Sequence, residues 1–165
     1  MTNAVYLASL VNSSGNNVTL QGGVVGSGTG IAFPATQVAS SDANTLDDYE
    51  KGTFTVTDAS GAGLTFTQNT GYYTKVGRLV SMSFDIVYPT TANTATAKIA
   101  LVFTATTGGA GGAGAVGYSG YAGSVTVYGG GTTFLSFYSA SAGVSIKNVD
   151  LSGKEMAVNY IYQAA

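Results

Sequence analysis

Two segments alternate apolar and polar residues with period two and leave little choice of fold. In "RLVSMSFDIVY", Val80, Met82, Phe84, Ile86 and Tyr88 share one face, while Ser81, Ser83 and Asp85 share the other. In "KEMAVNYIY", Met156, Val158, Tyr160 and Tyr162 oppose Glu155 and Asn159. This is the pattern of a half-buried strand, and "ATAKIALVF" repeats it through Ile99, Leu101 and Phe103. Shorter strands are expected in "GTFTVT", "GLTFTQ", "GYYTKVG", "GSVTVYG" and "TTFLSFYS". From Thr53 onward this gives about eight strands separated by Gly- or Asn-bearing turns, the spacing of an antiparallel sandwich or jelly roll. No window carries a 3.6-residue repeat, so the chain is expected to be all-β. The exception is "NTLDDYEKG", which predicts a short helical turn with Asn44 or Thr45 as N-cap, acids in the first turn and Gly52 as the stop.

Composition narrows the function. The chain has no histidine and no cysteine, which removes the commonest general base, the commonest metal ligand and all thiolate chemistry. A net charge of −2 with 8% charged residues provides no basic patch for nucleic acid. No apolar run approaches the roughly 18–20 residues of a membrane span, and the N-terminus lacks the pattern of a signal peptide. Neither nucleic acid nor membrane is therefore an expected partner. Asp42, Asp47, Asp48 and Glu50 do not follow calcium-loop spacing: counted from Asp42, Leu46 and Asp47 fall where a ligand and a glycine belong. Gly112, Gly114 and Gly117 match G-x-G-x-x-G, but no helix or suitably placed acid follows, so "GGAGGAGAVGYSGYAG" reads as a turning or mobile loop. No catalytic residue, cofactor or metal is expected, and the protein reads as a non-enzyme.

The first 32 residues differ from the rest. "GNNVTLQGGVVGSGTG" has little to bury and is expected to order only against another surface. The chain thus divides into an extended N-terminal arm (1–32), a linker with the helical turn (33–52) and a β-sandwich head (53–165). With so few charges, solubility rests on hydroxyls and amides, and burial of surface by oligomerisation is expected. Among the 11 tyrosines, Tyr72, Tyr73, Tyr118, Tyr121, Tyr128 and Tyr138 are placed in or beside turns, where amphipathic rings can fill a subunit interface or stack on sugars. Tyr118, Tyr121 and Tyr128 are the candidate glycan contacts. Arg78 is a candidate partner for a linker acid.

The stretch "FPATQVASSDANTLDDYEKGTFTV", followed by "GYYTKVGRLVSMSFDI" and the apolar "IALVF", strongly resembles a module of tailed-phage virion proteins, notably those of cyanophages. The resemblance covers roughly residues 31–103, and more weakly "NVDLSGKEMAVNYIY"; the chain departs from the pattern in having "ALVF" where G-L-P-F is usual. It implies a homotrimeric, jelly-roll-like head on a short linker, displayed on the virion surface. Phe33, Pro34, Asp47, Asp48, Tyr49, Glu50 and Arg78 would organise the linker and trimer, with Pro34 ending the arm and Phe54 starting the first core strand. The arm would bind the major capsid protein or another virion protein. An extended 32-residue arm reaches only about 105–115 Å, and no heptads provide a shaft, which favours capsid decoration or a head fibre. The alternative is a tail-fibre tip or a module that binds host surface polysaccharide.

Overall fold

A computed structural model describes residues 33, 36, 39–42, 44–107, 112–129 and 133–165. The expected arm (1–32) and Pro34 lie outside them, as do residues 108–111 of the glycine-rich loop. Residues 39–165 form one unit.

Eight strands are found among the described residues: β1 (Tyr49–Thr55), β2 (Thr70–Val76), β3 (Leu79–Val87), β4 (Lys98–Ala100), β5 (Ala113–Ser119), β6 (Val125–Tyr128), β7 (Phe134–Ser139) and β8 (Glu155–Gln163). All pairings are antiparallel, in the order β1-β2-β3-β8-β5-β6-β7-β4. The sheet curls so that the chain just beyond β1 reaches β4: Asp58 bridges Ile99, and the Ala59 and Ala100 amides donate to the Lys98 and Thr57 carbonyls at 3.0 Å each. A single 3-10 turn, Asn148–Leu151, precedes β8. The fold is therefore all-β and antiparallel.

The period-two segments build the interior. Val80, Met82, Phe84 and Ile86 of β3, Met156, Val158, Tyr160 and Tyr162 of β8, Ile99, Leu135 and Phe137 are all buried. Tyr88 packs edge-on against Phe66 and Phe137, with ring centroids 4.9 and 6.5 Å apart. Gly77, at φ +56°, supplies the left-handed residue of the two-residue turn joining β2 to β3, as the twist of a tight hairpin demands.

Four sequence expectations are corrected. The helical turn at Thr45–Glu50 does not form; Thr45–Asp48 are irregular and β1 already begins at Tyr49, inside the expected linker. Asp42 makes the turn instead, its carboxylate accepting from the Asn44 amide at 2.9 Å and its carbonyl from the Thr45 amide at 3.1 Å. Phe54 lies near the end of the first strand rather than at its start. "GLTFTQ" is not a strand, because Gly61 and Gly63 turn the backbone at positive φ and the Asp58 carboxylate takes the Ser60 and Leu64 amides; Phe66 is buried in the core and Leu64 packs against it, half-buried. Conversely, "AGAVGYS" from the supposed loop is β5. A Cβ on Gly114 would collide with the Asn159 carbonyl and the Val127 side chain, so here glycine permits close strand packing.

Candidate functional site

The stretches "NTLDDYEKGT" and "YTKVGR" meet in the β1–β2 hairpin. Tyr49 pairs with Val76, Glu50 with Lys75 and Gly52 with Tyr73. Just ahead of β1, the Asp48 carbonyl accepts from the Gly77 amide at 2.8 Å, and its carboxylate forms a buried ion pair with Lys75. Asp48 is 2% and Lys75 5% exposed. The Lys75 ammonium also lies 5.5 Å from the centre of the Phe103 ring, which stacks edge-on with Tyr73. Burial pushes the Lys75 ammonium below its ordinary value, and the Asp47 carboxylate works against that shift. Of the acids expected to organise the linker, Asp48 fastens the hairpin through Lys75, while Asp47 accepts from the Ser40 amide within the linker at 2.9 Å. Arg78 does not take a linker acid; its Nε donates to the Ala164 carbonyl at 3.0 Å.

The outward side chains of the same strands form a second feature. One row across the sheet carries exposed Tyr49, Val76 and Leu79, with exposed Ile161 on β8 beside it. Further along, Tyr72, Ser83, Asn159 and Ala115 align across β2, β3, β8 and β5. The next row contains Asp85, Ala157 and Tyr118. Because Ser83, Ala157 and Asn159 are short, the face sinks into a groove of about 410 Å³ that is also lined by Gln68, Thr70, Tyr72 and Asp85. A second hollow of about 420 Å³ lies on the other side of Tyr72, against Lys51 and Thr53. Tyr72 is a ridge between them, 61% exposed.

The predicted glycan tyrosines separate. Tyr118 is in mid-strand, 56% exposed, and reaches the outer face because the register shifts between Val116 and Tyr118, a bulge at Gly117. Without the extra residue the period-two pleat would turn Tyr118 inward. Tyr128 is exposed at the end of β6, edge-on to Tyr138 at 6.3 Å. Tyr121 is half-buried, packs against the core and is not on this face. Tyr72 and Tyr73 also sit within a strand rather than beside a turn. Asp85 is expected on a solvated face, yet it is half-buried in the groove wall, and its buried Oδ1 has no hydrogen-bond partner among the described residues. Sequence reasoning missed Asp85 and Asn159 as neighbours because nothing in the chain announces that β3 pairs with β8.

Among the described residues no cluster of three or more acids could hold a metal ion, and no helix is long and apolar enough to cross a membrane. Comparison with protein-family models, curated proteins and solved structures found no match.

Proposed function

We propose that this protein is a non-enzymatic structural component of a tailed-phage virion, a homotrimeric surface appendage that decorates the capsid. In this reading the curled sheet is a jelly-roll-like head exposed to the environment, and residues 1–32 bind the major capsid protein or another virion protein. The observation that carries the proposal is the role of the motif. "NTLDDYEKGT" and "YTKVGR" combine into one hairpin through the buried Asp48–Lys75 pair, and this hairpin presents Tyr49 and Val76 outward beside Leu79 and Ile161. A contiguous exposed apolar row on a chain with few charges fits burial against identical subunits.

Light scattering on the full-length protein tests this reading. The expected mass is about 50 kDa, three times the 16.5 kDa chain. Replacing Val76 and Leu79 by lysine is expected to reduce it to the mass of one chain with the circular dichroism unchanged. A wild-type monomer at micromolar concentration, or a trimer indifferent to both lysines, would refute the assembly.

A further inference from the structure

We propose that the outer face from the groove beside Tyr72 to Tyr118, which stands next to Ala157 beyond the groove lining, binds an uncharged oligosaccharide. This extends the surface-appendage reading, whose subunit contact uses the Tyr49–Val76–Leu79 row at one end of the same face, and identifies the ligand class and the contacts.

The shape comes first. Tyr72 on β2 and Tyr118 on β5 are separated by two intervening strands, β3 and β8. Three strand spacings amount to roughly 14 Å, a span of about three sugar rings. The floor between the rings is made by Ser83, Ala157 and Asn159, all too short to block a chain lying across the strands. The groove is open along the face, suited to a segment of a polymer passing through.

The chemistry agrees with the shape. A pyranose presents an apolar C–H face and a rim of hydroxyls. The two exposed phenol rings offer matching apolar faces with polar tips. Ser83 and Asn159 offer both donors and acceptors at the floor. Asp85 contributes a carboxylate to the groove wall, with Oδ1 buried and without a hydrogen-bond partner among the described residues. The same carboxylate repels phosphates and uronic acids, and among the described residues no cation lines this groove. These features select a neutral glycan over a nucleic acid or an acidic polysaccharide.

The bulge at Gly117 is the independent observation. It brings a bulky aromatic onto a row whose other members are Asp85 and Ala157. Bulges re-aim side chains in this way beside functional sites, and no core contact requires Tyr118 to be outside.

The test is calorimetric titration of the full-length protein with four uncharged trisaccharides, maltotriose, cellotriose, mannotriose and N,N′,N″-triacetylchitotriose, with trigalacturonate as the charged probe. At least one uncharged probe is expected to bind with millimolar affinity, weakened about tenfold or more by Tyr72→Ala and by Tyr118→Ala and unchanged by Tyr128→Ala. Asp85→Asn, which stays isosteric, is expected to lessen the discrimination against trigalacturonate. Failure of all four at ~10 mM, equal binding of trigalacturonate, or affinity indifferent to both tyrosines would overturn the proposal. The oligomeric mass is read separately, so loss of sugar binding leaves the trimer standing, and a monomer that binds sugar overturns only the trimer.

Discussion

Replacing Lys75 by methionine is the sharpest test of what the motif does. Lys75 and Asp48 are almost wholly excluded from solvent, so removing the ammonium strands a carboxylate in a low-dielectric site. Breaking a buried pair in this way costs about 3–5 kcal/mol, against roughly 0.2–1 kcal/mol for an exposed pair. For a domain of ordinary stability, about 5–15 kcal/mol, that is a third or more of the total in many cases. Loss of the ammonium over Phe103 adds a fraction of that, about 0.5–1 kcal/mol. Asp48→Leu alone should be similarly harmful, because it strands the ammonium. The double variant, Lys75→Met with Asp48→Leu, removes both charges and is expected to recover to within about 1 kcal/mol of the parent, since an apolar replacement of a buried pair is often neutral or better. Urea unfolding followed by circular dichroism measures all four proteins, and constant slopes confirm that midpoints can be compared. A single-variant cost below about 1 kcal/mol would mean that the pair is solvent-screened. A double variant as weak as the singles would show that packing, and not charge, holds the hairpin.

Two glycines three positions apart make a paired prediction. Gly114→Ala drives a methyl group into the Asn159 carbonyl and should cost about 1–3 kcal/mol or more, whereas Gly117→Ala meets only the Ala157 carbonyl, at 4.0 Å, and should lie within about 0.5 kcal/mol of the parent; equal thermal shifts would contradict the close packing of β5 on β8. Stability should also fall steeply in alkali. Burial raises Tyr160 and Tyr162 to about 12 from 10.0, and pushes Tyr88 up as well. These rings keep their protons in the folded state while the unfolded chain loses them, so their contribution is complete below pH 10 and is lost as pH rises towards 12, by roughly 2 kcal/mol per ring. Lys75, lowered from 10.5, acts in the opposite direction: stability rises with pH between its folded value and 10.5, and that gain is finished before most of the tyrosine window opens. Urea midpoints measured from pH 9 to 12 check this; Tyr160→Phe, which removes the buried hydroxyl, should flatten the decline, and a pH-independent midpoint would contradict it.

The legible part of the fold was the part written in side-chain period. Val80 to Tyr88 and Met156 to Tyr162 alternate so strictly that their burial could be read residue by residue, and the structure buries every one expected. Glycine-rich β5 has no such signal: its constraint is the closeness of the Asn159 carbonyl and the Val127 side chain on the neighbouring strands to Gly114, which is a tertiary fact. "GLTFTQ" failed for the opposite reason, a local pattern overridden by the Asp58 carboxylate and two left-handed glycines. The acids of "NTLDDYE" looked like a helix start because local chemistry favours one, but Asp48 is drawn to a lysine 27 residues away. The groove was legible only in fragments. Tyr72 and Tyr118 stood out as aromatic residues, while their separation depends on β3 and β8 lying between them and on a one-residue bulge.

The position of β8 also governs how the chain can be made. The last strand in sequence order lies in the middle of the sheet, with β3 on one side and β5 on the other. Until β8 has emerged from the ribosome, the β1–β3 meander and the β5–β7 segment are two half-sheets, each with an open inner edge and an uncovered apolar face. At ordinary synthesis rates of about 5–20 residues per second, that state persists for several seconds after β3 is complete. A long-range closure of this kind is intrinsically slow, and such edges invite pairing with neighbouring nascent chains. Yield in the cell will therefore depend on how quickly β8 arrives and on chaperone cover during the interval, more than on the final stability of the head.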